Sequence, residues 1–178
     1  MTELPGRRFA GPVFRAHNPE WAYDPASGEG ARRHGGRFNR RGRAALYSAL
    51  SPLGAIREAS PLGRPMEPVT LCEYAVDCAG VFDATDPRML AAEGVAPPEL
   101  DCPDWELRML RGDPVPPQDL AERLVARGYA ALMVQSFARG AGPSDVNLVF
   151  WTWTGRPPHQ VRVVDSIQRL PRDRSSWQ

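Results

Sequence analysis

The chain has 178 residues, of which 42% are apolar and 24% charged, as expected for one soluble globular domain with a buried core. All 22 basic residues are arginine, and the lack of lysine excludes P-loop nucleotide hydrolases and Schiff-base enzymes, which both need that side chain. No apolar run approaches the roughly 20 residues of a membrane span, and the first residues lack a signal-peptide core, so we expect a cytoplasmic protein without membrane contact.

The cysteines and histidines give no indication of a metal site. Cys72, Cys78 and Cys102 are odd in number and contain no C-x-x-C pair, which disfavours both a disulfide framework and a zinc site. The three histidines also lack the spacing of metal ligands. We therefore expect no metal.

Charge is distributed unevenly along the chain. Residues 1–43, which we call the basic head, hold nine arginines and four acids, a net charge of +5, whereas residues 44–178 hold 13 arginines and 17 acids, a net charge of −4. Guanidinium groups bind phosphate oxygens in pairs, and aromatic rings beside them offer faces for a base or a pyridine ring. The basic head therefore favours a phosphorylated ligand that carries a ring.

The first part of the chain is predicted to contain little regular structure. Residues 1–11 are expected to form an irregular arm, and residues 13–16 a short strand that enters a loop over 17–35, which is rich in proline and glycine. Loops this long in compact domains are usually functional or disordered. Because this one carries Trp21 and Tyr23, we expect it to be ordered and functional.

The middle of the chain shows clearer signals. A strand is predicted over 44–48, followed by a helix that Ser51 and Pro52 begin and that ends near Ala59. Residues 69–77 alternate as a strand does, and residues 81–82 are expected to form a separate short strand. Three helices should follow, over 87–93, 104–111 and 116–127.

Three further strands are expected in the last third, over 129–134, 147–153 and 161–164, with a glycine-rich loop between the first two. A polar and loose tail is predicted over 169–178. Because the strands interleave irregularly with short helices, we predict an α+β fold, with a mixed β core and short flanking helices in a single domain over residues 12–168.

Six polar residues are candidates for ligand contact, each with an alternative structural explanation such as a solvated side chain, a packed strand residue or a turn. They are Arg15, Arg37, Asn39, Tyr47, Glu58 and Ser136. Paired glycines before Arg37 would let the backbone approach a ligand closely, and small neighbours leave room beside Glu58. Ser136 opens the glycine-rich loop, at the kind of strand end where ligand-binding residues gather. Another cluster, Arg40, Arg41 and Arg43, suggests a solvated turn or a docking patch for an acidic partner.

Several motifs together resemble the RES-domain family of NAD-consuming bacterial toxins, which are named for a characteristic Arg, Glu and Ser. The most specific is F-R-x-H-N-P-x-W-A at 14–22, followed by S-G-x-G-A, G-G-R-F-N and A-L-Y, with Glu58 eleven residues beyond Tyr47. The resemblance covers roughly residues 12–165. It implies a core related to ADP-ribosyltransferases of the diphtheria-toxin type, although none of their standard triads appears unaltered.

The resemblance also implies roles for individual residues. Arg15 and Arg37 would hold the diphosphate of NAD⁺, with Asn39 among the ligand-binding residues, and Tyr47 would contact the nicotinamide end. Glu58 would stabilise positive charge at the anomeric carbon, and Ser136 would orient the ribose or the nicotinamide. With Arg15, Glu58 and Ser136 form the expected catalytic set, and no metal is needed.

The expected function is therefore that of a toxin in a type II toxin–antitoxin system. It would cleave the nicotinamide–ribose bond of NAD⁺ and pass ADP-ribose to a protein side chain, inorganic phosphate or water. The resemblance also implies an Xre-like antitoxin that covers the basic head. Two alternatives stay open, namely an arginine-rich toxin that binds or cleaves RNA, and an inactive module that only docks a partner.

Overall fold

The fold is seen in a computed structural model that describes residues 4–60 and 65–175. Six strands form its core: β1 Arg7–His17, β2 Leu46–Ala49, β3 Thr70–Asp83, β4 Ala131–Gln135, β5 Val146–Phe150 and β6 His159–Val163. Six short helices surround them: α1 Glu29–His34, α2 Pro52–Ala59, α3 Pro87–Ala92, α4 Pro97–Asp101, α5 Trp105–Arg111 and α6 Pro116–Ala126. Among the described helices, none has the length and apolar character that crossing a bilayer requires.

The strands form one mixed sheet that closes into a barrel. Its order is β1-β2-β5-β4-β3-β6, and β1 also pairs with β3. The pairing of β3 with β4 is parallel, and the other pairings are antiparallel. The 14-residue strand β3 pairs with β1 along nearly the whole length of β1. This long β1–β3 ribbon brings the end of β1 close to the start of β3.

Two apolar clusters lie on the two faces of the sheet. On one face, Val13, Tyr74 and Phe150 pack among the strands. On the other face, helices α3, α4 and α6 cover β4 and β5 through residues such as Leu124 and Leu132. Side chains alternate between the two clusters because successive residues of a strand point to opposite faces. The α+β fold with one mixed β core is therefore confirmed.

Local chemistry explains the helices that the sequence predicted. Ser51 caps α2, and its hydroxyl accepts a hydrogen bond from the amide of Gly54 at 3.0 Å. Asp86 caps α3 in the same way through the amide of Arg88 at 2.9 Å. A proline follows each cap, where its missing N–H has no cost. Helices α5 and α6 also begin and end within a residue of the predicted positions.

Three expectations about the chain's course are wrong. Residues 7–11 belong to β1 and pair with β3 rather than forming an irregular arm. Residues 70–83 form one strand instead of two, because β3 continues through Gly80 at φ +78°. The loop predicted over 17–35 contains α1, where Glu29 bonds to Arg32 and Arg33 one turn further on.

Two further elements differ from the prediction. Helix α4, Pro97–Asp101, was not predicted at all; a glutamate at its third position bonds back to the amide before the helix. The tail expected to be loose makes contacts over 169–175: Leu170 packs on the core and Arg174 lies over the ring of Trp21 at 4.7 Å. Residues 176–178 lie outside the described part.

Candidate active site

Four of the six predicted residues line a single cleft of about 460 Å³. It opens between the end of β1, the strand β2, the helix α2 and the turn over 35–39. Arg15, Arg37, Tyr47 and Glu58 all contribute to its walls. Arg15 and Glu58, which are 43 positions apart in the sequence, thus line the same cleft, because antiparallel pairing brings β1 and β2 together.

Arg15 is a cleft arginine whose hydrogen-bond partners among the described residues are backbone carbonyl oxygens. It lies near the end of β1, is partly buried, and its Nη1 donates to the backbone carbonyl oxygen of Ser27 at 3.0 Å. Among the described residues, no carboxylate lies within ion-pair distance of it. Burial is the main influence on this group and lowers the pKa of the Arg15 guanidinium. A bound anion would supply the negative charge that this partly buried guanidinium lacks, through charge-assisted hydrogen bonds.

Glu58 lies in the last turn of α2 with its carboxylate at the cleft. Its Oε1 accepts one hydrogen bond from Ser136 Oγ and another from Asn147 Nδ2, both at 2.6 Å. The residue itself is exposed. A carboxylate that is held on one oxygen and open to the cleft can stabilise positive charge that develops on a ligand.

Tyr47 lines the cleft, and its hydroxyl is hydrogen-bonded within the protein. The hydroxyl donates to Asn39 Oδ1 at 2.7 Å and accepts from the amide of Phe38 at 3.0 Å. Burial raises the pKa of the Tyr47 phenol, so the group stays protonated. Gly36 must be a glycine here, since a Cβ would clash with this hydroxyl. The arrangement favours stacking over a polar contact by Tyr47.

Asn39 does not reach the cleft, which corrects its assignment as a ligand-binding residue. Its side chain is fully buried. Its Nδ2 donates to the carbonyl oxygens of Ala31 and Arg43 at 2.9 and 3.0 Å, while Oδ1 receives the bond from Tyr47. Every polar atom of the amide is therefore used inside the protein. Asn39 supports Tyr47 and the turn around it rather than a ligand.

Arg37 joins two other elements across the cleft. Its guanidinium lies 4.8 Å from the centre of the Phe137 ring and makes an ion pair with Asp101 at 3.2 Å. The side chain is 20% exposed. Arg37 is thus held between the glycine-rich loop and the end of α4 while it lines the cleft.

Ser136 lies behind Glu58 instead of lining the cleft. It is buried at the end of β4, and its amide donates to the carbonyl oxygen of Asp145 at 2.8 Å, which closes the glycine-rich loop. Its hydroxyl contacts Glu58, so it can reach a ligand only through that carboxylate. The structure therefore brings Ser136 to the site but not into the predicted contact with the ribose.

Two residues of the site escaped the sequence analysis. Asn147 is the second residue of β5 and contacts Glu58; its only signal in the sequence is a polar residue near the start of an apolar strand. Trp105, the first residue of α5, also lines the cleft. The position of Trp105 in the cleft depends on how α5 packs against the rest of the domain, which no local sequence pattern predicts.

The cluster at Arg40 and Arg43 is not a docking patch of unpaired charges. Arg40 forms an ion pair with Asp119, and Arg43 a bidentate pair with Glu122 at 2.8 and 2.9 Å. Both acids belong to α6. These arginines fasten the basic head to the helical side of the domain.

Within residues 4–60 and 65–175, no group of three or more His, Cys, Asp or Glu side chains is placed to hold a metal ion.

Comparison with known proteins places the chain in a family. The model of the RES domain matches residues 12–173, nearly the whole chain. The search of curated proteins gives no match. RES domains are NAD-consuming toxin domains. Because the match covers nearly the whole chain, the chain belongs to the RES-domain family.

Proposed function

We propose that the cleft binds NAD⁺, cleaves the bond between nicotinamide and ribose, and passes ADP-ribose to an acceptor. The observation that supports this most is the meeting of two guanidinium groups, an aromatic ring and a carboxylate in one cleft. NAD⁺ offers a matching set of groups: an anionic diphosphate, a flat ring, and a ribose carbon that becomes positive during the reaction.

Arg15 and Arg37 suit the diphosphate. Arg15 has only carbonyl oxygens as partners among the described residues, so a phosphate would be its first anionic partner. Arg37 would exchange part of its pairing with Asp101 for the second phosphate. Guanidinium groups bind such oxygens through two charge-assisted bonds each. The ring of Tyr47 is then available to stack on the nicotinamide.

The chemical step needs little from the protein beyond electrostatics. The bond between ribose C1′ and the nicotinamide nitrogen breaks, and its electron pair neutralises the cationic pyridinium, which leaves as nicotinamide. The positive charge that remains on C1′ and the ring oxygen lies next to the Glu58 carboxylate, as in glycoside cleavage. The acceptor adds to C1′ and gives up its proton, which completes the transfer.

Two further parts of the proposal rest on the family. The mixed barrel is proposed to be related to ADP-ribosyltransferases of the diphtheria-toxin type. An enzyme that consumes NAD⁺ harms its own cell, so a cognate Xre-like antitoxin should cover the cleft until release. Protein, inorganic phosphate and water stay open as acceptors.

The test is to incubate the purified chain with NAD⁺ and, separately, with RNA, and to measure released nicotinamide and RNA fragments. Nicotinamide release supports the proposal, and mass spectrometry of the products names the acceptor. RNA cleavage without nicotinamide release would favour the RNA-directed alternative. A chain that changes neither substrate would favour a docking module.

Replacing the carboxylate tests the mechanism. The substitution Glu58→Gln should lower turnover by about 10²–10³-fold, because a neutral amide cannot stabilise the positive charge at C1′. Glu73→Gln is the matched control, since Glu73 is exposed on β3 and does not line the cleft. Nearly normal NAD⁺ consumption by the Glu58 variant would refute the mechanism.

A further inference from the structure

Both hydrogen bonds to Glu58 converge on one oxygen. Asn147 Nδ2 and Ser136 Oγ each donate to Oε1 at 2.6 Å. Among the described residues, Oε2 receives no hydrogen bond. One oxygen of this carboxylate at the cleft is therefore held by two protein donors, and the other is left without one among the described residues.

Asn147 is a donor held within the sheet. It is the second residue of β5 and is paired on both sides, with Ala49 of β2 and with Val134 of β4. Glu58, in contrast, extends a long side chain from the last turn of an eight-residue helix. A donor on a strand between two neighbours can hold such a side chain in one orientation.

The oxygen end of the Asn147 amide differs from the end that contacts Glu58. Asn147 Oδ1 is buried and has no hydrogen-bond partner among the described residues. An unsatisfied buried acceptor costs free energy. Turning the amide over would place Oδ1 against the Glu58 carboxylate, where two acceptors repel. Among the described residues, the amide thus has a side-chain partner only at its Glu58 end.

We propose that Asn147 is a positioning residue that orients the Glu58 carboxylate toward the anomeric carbon of the substrate. This inference rests on the proposed NAD⁺ cleavage. Asn147 acts through Glu58, holding Oε1 so that Oε2 is directed at the developing charge. Ser136, the second donor to the same oxygen, shares this task.

The first test is a double-mutant cycle. Asn147→Ala should lower kcat about 10- to 100-fold, the value of one charge-assisted hydrogen bond, and leave KM within about twofold. In the Glu58→Gln background the same substitution should change kcat less than about twofold, because its target is gone. Equal losses in both backgrounds would overturn the inference.

An isosteric variant separates the donor from its packing. Asn147→Asp keeps the shape but places a second carboxylate against Glu58, so it should lose at least as much activity as Asn147→Ala. Gln160→Glu adds the same charge on β6, outside the cleft lining, and should leave activity unchanged. An Asn147→Asp enzyme with normal kcat would show that packing alone matters.

Crystal structures of the wild type and Asn147→Ala decide the point independently of activity. The Glu58 carboxylate should leave its single orientation in the variant; an unmoved carboxylate would overturn the positioning role. A wild-type chain that leaves NAD⁺ intact would instead refute the proposed function, and the crystal structures would still show whether Asn147 orients Glu58.

Discussion

Arg15 lines the cleft, whereas Arg43 lies on the outer face of the domain, where Arg40 and Arg43 contact α6. Both arginines belong to the basic head, but their partners differ. Arg43 forms two bonds with the Glu122 carboxylate, whereas Arg15 contacts only carbonyl oxygens among the described residues. Burial lowers the pKa of Arg15, while the hydrogen bond to Glu122 raises that of Arg43. Pairing within the protein, rather than local charge density, decides which arginine is available to an anion.

Other arginines of the basic head that lie outside the cleft are paired with acids, as Arg43 is. Including Arg43, four arginines pair with acids from the acidic part of the chain, and the pairs are Arg7–Asp83, Arg8–Asp77, Arg40–Asp119 and Arg43–Glu122. The positive and negative charges that are separated along the sequence are thus largely paired with each other in the fold. A broad basic surface for nucleic acid is correspondingly less favoured, which supports the NAD⁺ proposal over the RNA-directed one.

Within this comparison of the two arginines, the larger effect should come from removing Arg15. Arg15→Ala should raise KM for NAD⁺ about 100-fold, because two charge-assisted bonds to the diphosphate are lost. Arg43→Ala, the matched arginine of the outer face, should change KM less than about twofold. Steady-state kinetics of nicotinamide release measures both. Similar KM values for the two variants would break the comparison.

Tyr47 should affect stability more than chemistry. Tyr47→Phe keeps the ring at the cleft but leaves Asn39 Oδ1 and the Phe38 amide without their partner. Each orphaned group costs about 1–3 kcal/mol, so the two together should lower the free energy of unfolding in urea by about 2–6 kcal/mol. The value of kcat should change less than about threefold. A large fall in kcat at unchanged stability would mean that the hydroxyl itself contacts the substrate.

His17 reports on the charge of Arg15. Burial, and secondly the positive charge of Arg15, lower the pKa of His17 to about 4. Its ring nitrogens are buried and unpartnered among the described residues. Between pH 6.5 and 4 the unfolded chain therefore binds a proton that the folded chain does not, and stability should fall as the pH falls, by about 2 kcal/mol between pH 7 and pH 5.

The variant Arg15→Gln sharpens this test, because removing the positive charge should raise the pKa of His17 and reduce the loss of stability in acid. NMR titration of His17, together with urea unfolding at pH 7 and pH 5, measures both quantities. An unchanged pKa in the variant would mean that burial alone sets it, and that the Arg15 charge does not reach this ring.

The smallest effect is expected on the outer face. The partners Arg43 and Glu122 are each about one-third exposed, and ion pairs of this kind contribute only about 0–1 kcal/mol. Arg43→Ala should lower the free energy of unfolding by no more than that, and Arg41→Ala, whose guanidinium bonds only to a backbone carbonyl, should have no effect. A loss above about 2 kcal/mol would show that fastening the basic head to α6 is a main source of stability.

The sequence by itself determined what depends on neighbouring residues. The cap and proline at Ser51 and Pro52 start α2, the apolar runs mark β4 and β5, and the spaced motifs identify the family. These signals act over a few residues, so they can be recognised without the fold. The same local reasoning missed α4. It also divided β3, where pairing with distant strands overrides local preference.

Only the tertiary structure decided which polar side chains meet. It turned Asn39 inward, placed Ser136 behind Glu58, and brought Asn147 to the same carboxylate from 89 residues away. It also paired Arg43 with a helix that lies far along the chain. Hydrogen bonds and ion pairs require distances of about 3 Å, and for residues this far apart in sequence such distances are set by strand register and helix packing.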